Sequence, residues 1–281
     1  MRIEPGMVAV VTGAGSGIGR ALAERAASCG MKVVAADVEQ PRLDETVESL
    51  RESGVDAFGV RTDVSNEDDV VRLADAAWSE FGEVNLLCNN AGVFSGGLLW
   101  ERSMADWNWV MGVNLYGIVH AIRAFVPRML VADRPAHIVN TASMGGLVTN
   151  AYSGPYYTSK FAAVGVTECL AHDLKTTGRP VSASVLVPSL IATNISSSQR
   201  NRPERWIERD RQPGSDEEFI AAALRDSTAS GMPPSEVASL VFDAVEVDRF
   251  WIPTRPSYHD QIRARHEDMQ VLQHPASAQL D

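Results

Sequence analysis

A tyrosine followed four positions later by a lysine, Tyr156 and Lys160 in the run Tyr156-Tyr157-Thr158-Ser159-Lys160, is a pair that can move a proton. On a helix, residues four apart share a face, and Tyr157, three before Lys160, can also approach it. A free phenol titrates at about pH 10 and serves poorly as an acid–base group near neutrality. A neighbouring ammonium favours phenolate and brings that value down. A hydroxyl such as Ser143 can then hold a substrate oxygen while Tyr156 moves the proton. Such pairs also occur on ordinary helix surfaces, so the meaning of this one depends on its neighbours.

A second chemistry lies near the N-terminus. The apolar run Met7–Val11 leads into Thr12-Gly13-Ala14-Gly15-Ser16-Gly17-Ile18-Gly19. A strand that ends in a glycine-rich turn and opens a helix is suited to phosphate. Glycines permit close backbone approach, and the helix N-terminus offers unpaired N–H groups and partial positive charge. The next apolar run, Met31–Ala36, ends in Asp37, 18 positions after Gly19. A carboxylate near that distance accepts hydrogen bonds from an adenosine ribose. Strand, turn, helix, strand and acid in this order lead us to expect a bound dinucleotide.

The elements that must position these groups are legible as alternation. Strand-like runs at Met7–Val11, Met31–Ala36, Ala57–Arg61, Val84–Cys88, His137–Asn140 and Val181–Val187 are separated by helical stretches. The latter are Ile18–Cys29, Arg42–Glu52, Glu67–Glu80, Asp106–Leu130 and Tyr156–Thr176. This pattern predicts an α/β fold: a single-domain, doubly wound parallel sheet with helices on both faces. One domain over residues 1–281 is expected, with a last strand at Arg249–Ile252. Residues 196–232 break the pattern: they are polar, Arg-rich and interrupted by Pro203 and Pro213. A long irregular insertion in a compact domain reads as a substrate lid. Within it Ser215 to Glu218 resembles a capping box opening a short helix. Another helix starts at Pro234, and the tail 253–281 has helical character around His259–Leu272.

In a doubly wound sheet, ligands sit beyond the carboxyl ends of the strands. The residues that follow the apolar runs are Asp63-Val64, Asn89-Asn90-Ala91-Gly92, Thr141-Ala142-Ser143, and Pro188-Ser189 with Thr193 beyond. With these in view, the chain resembles the short-chain dehydrogenase/reductase family over essentially its whole length. The resemblance is carried by Thr12 to Gly19, Asp63-Val64, Asn90-Ala91-Gly92, Asn114, Ser143, Tyr156-x-x-x-Lys160 and Pro188…Thr193. Ser143 precedes Tyr156 by thirteen positions, which suits the family.

The resemblance implies that Tyr156, not Tyr157, is the general acid–base. It implies that Lys160 lowers the pKa of Tyr156 and holds the nicotinamide ribose. Ser143 would donate to the carbonyl or alkoxide oxygen, and Asn114 would help anchor a water in a proton relay. Gly13, Ser16, Gly17, Ile18, Gly19, Asp37, Asp63, Val64, Asn90, Ala91 and Gly92 would bind the dinucleotide. Pro188 and Thr193 would meet its carboxamide. Ser189 departs from the glycine common after the proline. Tyr152, Tyr157, His172 and Asp173 are expected to be packing, pocket or surface residues.

Asp37 welcomes the two ribose hydroxyls of NAD and repels the 2′-phosphate of NADP. Relatives that prefer NADP usually carry Arg or Lys beside this position, where this chain has Ser16 and Val38. The expected activity is therefore an NAD-dependent interconversion of a secondary alcohol and a ketone. Alternatives are an NADPH-linked 3-oxoacyl reductase and a catalytically silent dinucleotide sensor. The substrate pocket should draw on Met144–Leu147, Thr149–Tyr152, Phe94–Leu99 and the lid, with Trp206 either in the pocket or packing the lid. That mixture suits a medium-sized hydrophobic or aromatic small molecule.

A net charge of −11 argues against nonspecific nucleic-acid binding, which needs clustered Lys and Arg. Three widely spaced cysteines, Cys29, Cys88 and Cys169, suggest buried thiols with neither disulfide nor metal site. No signal-peptide core is seen, and no apolar run reaches the ~18 residues of a membrane span. The expectation is a cytoplasmic protein with no membrane partner. The long helices are the family's usual interface, implying a homodimer or homotetramer. The tail would contact the lid or a neighbouring subunit.

Overall fold

The computed structural model describes residues 1–209, 214–256 and 258–278. Pro213 of the insertion, and part of both the lid and the tail, lie outside the described residues.

Seven parallel strands form one sheet in the order β3-β2-β1-β4-β5-β6-β7. They are β1 (Val8–Thr12), β2 (Lys32–Asp37), β3 (Ala57–Arg61), β4 (Leu86–Asn89), β5 (Ala136–Thr141), β6 (Val181–Val187) and β7 (Trp251–Pro253). Every residue of β1, β4 and β5 is buried, as expected for strands covered on both faces. The strand order turns outward in both directions from the β1–β4 pair, where Ala9, Val10 and Val11 face Leu86, Leu87 and Cys88. That switch opens a crevice beyond the strand ends.

Helices α1 (Gly17–Ser28), α2 (Gln40–Glu52), α3 (Glu67–Phe81), α4 (Met104–Met111), α5 (Gly117–Ala132), α6 (Gly154–Thr177), α7 (Ser215–Ala229), α8 (Pro234–Glu246) and α9 (Tyr258–Gln270) complete the fold. One apolar layer joins α1, α2 and α8 to the sheet through Leu22, Leu43 and Phe242. The opposite layer uses Leu73, Trp109, Phe125 and Leu170 from α3, α4, α5 and α6. Each helix buries one stripe, as a helix lying on a sheet must.

Several expectations need correction. The long helix expected over Asp106–Leu130 runs from Met104 to Ala132 and is interrupted by a π-helical segment, Gly112–Tyr116. This helix is long and apolar enough to cross a membrane, where the sequence suggested that nothing was. Its buried Asp106 and Asn114, and its packing against α3 and α6, make it a core helix of this fold. The capping box expected at Ser215–Glu218 is replaced by half of one, a residue earlier: Gly214 is the N-cap, with no side chain to accept, and its N–H donates to Glu217 Oε1 at 3.2 Å. Of the cysteines, Cys88 is buried, Cys29 half-buried and Cys169 exposed, so burial does not hold for all three. The described part of the tail rests on the wall after β5. Tyr258 packs with Met144 and Val148, and Ala278 N–H donates to Thr149 O at 3.0 Å.

Candidate active site

The glycine-rich turn joins β1 to α1 under tight steric constraint. Gly17 has φ +54°, a conformation that L side chains rarely adopt, and a Cβ there would lie 3.0 Å from Thr193 Cγ2. A Cβ on Gly19 would fall 2.0 Å from Gly13 O, so backbone crowds against backbone beneath the turn. Thr12 Oγ1 accepts from the N–H groups of Asn90 at 2.9 Å and Ala91 at 3.1 Å, locking the ends of β1 and β4 together. Asn90 Nδ2 donates back to Thr12 O at 3.1 Å. The turn therefore sits as a rigid concave surface at the switch point.

A cleft of about 360 Å³ runs along these strand ends. Gly13, Ser16, Gly17, Ile18, Asp37, Asp63, Val64, Asn90, Ala91, Gly92, Ser143, Tyr156, Lys160, Pro188 and Thr193 all line it. Gly19 and Asn114 are not among the lining residues. Gly19 sits beneath the turn. Asn114 is a brace in the π-helical segment: its Oδ1 accepts from Val93 N–H at 2.8 Å, and its Nδ2 donates to Val93 O and to Ser159 Oγ at 2.9 Å. Ser159 Oγ donates in turn to Tyr156 O at 2.7 Å. Asn114 thus ties the β4 extension to the turn of α6 that carries the tyrosine.

At the far end of β2, each oxygen of Asp37 holds one backbone N–H, from Gly15 at 2.8 Å and Glu39 at 2.9 Å. Lone pairs remain on both oxygens for ribose hydroxyls. At the other end of the cleft, Tyr156 and Lys160 rise from the first turns of α6, and Ser143 caps a short 3-10 turn after β5. Ser143 Oγ accepts from Gly145 N–H at 3.1 Å. Lys160 Nζ donates to Thr141 O at 2.9 Å and lies 5.7 Å from the centre of the Tyr156 ring.

The expected lowering of the Tyr156 pKa is not what the geometry gives. Burial raises it above its ordinary value, and a hydrogen bond with the Ser143 side chain only opposes that rise. Burial also pushes Lys160 down to about 8, which weakens its hold on a phenolate. With its pKa raised, the half-buried Tyr156 is a proton donor in this state. Tyr157 is also raised, to about 12, by burial and by its neighbour Tyr156. It packs where a Cβ on Gly145 would strike its ring at 2.5 Å, which is a structural use.

The remaining walls partly match expectation. Phe94, Met144, Gly145, Asn150 and Ala151 line the cleft, whereas Leu99, Leu147, Thr149 and Tyr152 are not among its lining residues. Phe94 lies against Tyr156 with ring centres 5.2 Å apart and tilted by 60°. Trp206 packs the lid: a Cβ on Gly112 would meet its ring at 2.9 Å, and Arg205 stacks over it at 4.2 Å. The insertion divides in two. Its 3-10 turns, Ile195–Asn201 and Glu204–Trp206, cross toward the Asp37 end, while α7 places Ile220, Ala223 and Leu224 over the Tyr156 end. Sequence reasoning did not foresee Glu39 in the cleft; Ser198, Arg200 and Asn201 fall within the expected lid, 196–232, but none of them was singled out. No motif or periodicity points to them.

A glycine cradle, a ribose-side carboxylate and a Tyr/Lys/Ser cluster in one cleft define an oxidoreductase of the dinucleotide-binding α/β class. Residues 7–204, more than half the chain, match the family model for short chain dehydrogenase. The chain belongs to the short-chain dehydrogenase/reductase family. It is 46% identical to a short chain dehydrogenase/reductase from Burkholderia phymatum solved in complex with NAD, with a TM-score of 0.97 and 99% of each chain covered. It is 33% identical over 260 residues to a CLA biosynthesis dehydrogenase/reductase of Lactiplantibacillus plantarum, covering 92% of this chain and 91% of the relative. A 1-deoxy-11-beta-hydroxypentalenate dehydrogenase of Streptomyces exfoliatus is 36% identical over 263 residues, covering 93% and 87%.

Proposed function

We propose that this protein is an NAD-dependent dehydrogenase/reductase that interconverts a secondary alcohol and a ketone on a neutral, medium-sized, hydrophobic or aromatic substrate. The observation that carries this reading is the distribution of charge in the cleft. Asp37, Glu39, Asp63 and Arg200 line the dinucleotide end, whereas the wall beyond Tyr156 is Phe94, Met144, Ile220, Leu224 and small hydroxyl residues. A charged substrate would be desolvated there without a partner, which is costly.

The glycine cradle fits a dinucleotide because a Cβ at Gly17 or Gly15 would fill the space along the turn; at Gly15 it would lie 2.9 Å from Asp37 Oδ2. Ser16, Gly17 and Ile18 would face the pyrophosphate at the α1 N-terminus. Asp37 would accept from both ribose hydroxyls, and Asp63-Val64 would border the adenine. Pro188 and Thr193 would hold the carboxamide. When bound, the nicotinamide supplies the hydride donor or acceptor.

The chain's own residues handle the proton. Ser143 Oγ holds the substrate oxygen, and Tyr156 Oη gives it a proton in reduction or takes one in oxidation. Lys160 orients the nicotinamide ribose from its place on Thr141 O. Asn114 acts on the reaction through its brace to Val93 and Ser159. This reading carries with it a soluble, cytoplasmic setting, a homodimer or homotetramer, and no nucleic-acid, membrane or metal partner.

The test pairs NAD⁺ against NADP⁺ over aryl, aliphatic, steroid and polyol secondary alcohols, read as reduced-cofactor absorbance. NAD⁺-linked turnover of a hydrophobic class is expected. Tyr156→Phe should cut kcat by about 10²–10⁴-fold while leaving NAD affinity within a few-fold of the parent. Normal turnover by that variant would remove Tyr156 from the mechanism. NAD binding without turnover of any alcohol would favour the dinucleotide-sensing alternative, and NADP preference the oxoacyl reductase.

A further inference from the structure

Two arginines gather at the Asp37 end, although Ser16 and Val38 beside Asp37 carry no charge: Arg200 lines the cleft, and Arg42 stands behind Glu39. Arg42 opens α2, and Arg200 arrives on the crossing 3-10 turn. Both face one carboxylate. Arg42 Nε lies 3.3 Å from Glu39 Oε2. Arg200 presents Nε at 3.0 Å and Nη2 at 2.9 Å to Glu39 Oε1, where Asn201 Nδ2 adds a third donor at 2.9 Å. Glu39 is itself fastened to Asp37, because its N–H donates to Asp37 Oδ1. A Cβ placed on Gly15 would touch Asp37 Oδ2 and, at 3.1 Å, Arg42 Cβ, so the arginine stem stands beside the Asp37 carboxylate.

The other edge of the Arg200 guanidinium is also engaged. Its Nη1 donates to Ser197 O at 2.8 Å, Ser197 Oγ at 3.1 Å and Asn194 O at 3.2 Å. The planar fork is therefore pinned by main chain on one side and filled by Glu39 on the side that a phosphate would use. Two carboxylates, Asp37 and Glu39, balance these two guanidiniums; a third arginine, Arg61, is level with Asp37 on β3, exposed, with its Nε on Val38 O at 3.2 Å.

We propose that Glu39 is a specificity-determining residue for the dinucleotide: it occupies Arg42 and the open fork of Arg200 and so denies both to a 2′-phosphate. The proposal rests on the NAD reading above and deepens it. Asp37 repels the phosphate, and Glu39 disarms the cations that would otherwise attract it. Bidentate pairing with Arg is the strong mode of phosphate recognition, so a pre-filled fork is an effective barrier. Burial alone would raise the Glu39 pKa. The hydrogen bonds from Asn201 and Arg200, with the charges of Arg200 and Arg42, outweigh it and hold the carboxyl below its usual range. The same partners that hold Glu39 in place thus favour its ionised form.

The arrangement makes an unusual prediction about double variants. Asp37→Ser alone removes the repulsion but leaves both arginines neutralised, so it should bind NADP⁺ weakly. Adding Glu39→Ala frees a fork still pinned at its other edge, already oriented for phosphate. Binding is measured by titration calorimetry of the full chain with NAD⁺, NADP⁺ and adenosine 2′,5′-bisphosphate at low and raised salt. Asp37→Ser/Glu39→Ala should bind NADP⁺ and the bisphosphate at least tenfold more tightly than Asp37→Ser, with a steeper salt dependence. Adding Arg200→Gln should erase most of that gain. Glu39→Gln, which keeps the side-chain shape without the charge, should give a smaller gain in the same direction, and thermal melting confirms that each variant is folded. If Asp37→Ser/Glu39→Ala binds NADP⁺ no better than Asp37→Ser, or if the gain survives Arg200→Gln, the proposal falls. Tighter binding of NADP⁺ than NAD⁺ by the parent chain would instead overturn the NAD reading itself.

Discussion

The sheet and the segment that crosses its mouth are held by different forces. In the sheet, Val10, Val11, Leu86 and Ile138 are fully buried between two helical layers. In the segment from Ile195 to Trp206, Ser198 is the buried residue; Trp206 packs on the α3–α6 layer, and the other attachments are polar. Arg200 meets Glu39, Arg205 meets Asp63 at 2.9 Å, and Arg202 meets Asp106. Arg102 joins the N-terminus of α7 at Glu217, 2.9 Å away. Apolar burial is large and hard to modulate, whereas exposed ion pairs are each small and weakened by salt. A cover that must admit and release a dinucleotide is suitably built from the second kind. Two attachments resemble the core: Asp106 is fully buried, with Arg202 nearly so and stacked on Trp109 at 4.6 Å, and the Arg102 side chain that meets Glu217 is 1% exposed.

The largest expected effect lies in the sheet. Leu86→Ala at the β1–β4 switch should lower stability by about 2–5 kcal/mol in urea unfolding, because the cavity forms where neighbours cannot collapse. Well below the transition, its NAD affinity should stay close to that of the parent. Loss of NAD affinity without loss of stability would break the separation between core and cover.

A buried histidine gives the core its own signature. His137 opens β5, fully buried, with Nε2 2.6 Å from Ser184 Oγ. Burial pushes its pKa down to about 4; the Asp248 carboxylate opposes this and the positive N-terminus adds to it. Between pH 6.5, its ordinary value, and about 4, the unfolded chain binds a proton that the folded chain refuses. Stability therefore falls as pH drops through that window, by about 3 kcal/mol in total, and levels off below it. His137→Asn should show a shallower decline across the same range. Equal slopes for parent and variant would mean that carboxylates, and not this core histidine, set the acid response.

The two regions were also unequally legible in the sequence. Apolar runs mark strands whether they are buried, as most of β6 is, or at the sheet edge, as β3 is, so both match expectation end to end, and the residues after each run are those that line the cleft. Pairing across long sequence separations leaves no such trace. Glu39 and Arg200 are 161 positions apart, and nothing local to either announces the other. The same applies to depth. Tyr156 beside Lys160 suggested a lowered phenol pKa, but the burial that reverses the shift depends on Phe94 and the α7 cover, which only the fold assembles. Trp206 offered two readings, and its contact with Gly112 of the π-helical segment decided for packing.

The smallest effect is the most direct test of the cover's polar attachment. Arg205 Nη2 donates to Asp63 Oδ2 and, at 2.7 Å, to Ser65 Oγ, yet its side chain is 47% exposed. An exposed pair of this kind is worth about 0–1 kcal/mol. Arg205→Gln should therefore leave global unfolding within that margin of the parent. Locally, the same free energy is enough to change opening of the crossing segment by up to about fivefold. The amides of Trp206, bonded to Pro203 O, and Ile207, bonded to Glu204 O, report that opening by hydrogen exchange. Both should exchange faster in Arg205→Gln, and raising the salt should bring parent and variant together as screening removes the pair. If Arg205→Gln instead costs as much global stability as Leu86→Ala, the crossing segment unfolds as one unit with the sheet, and its ion pairs belong to the core.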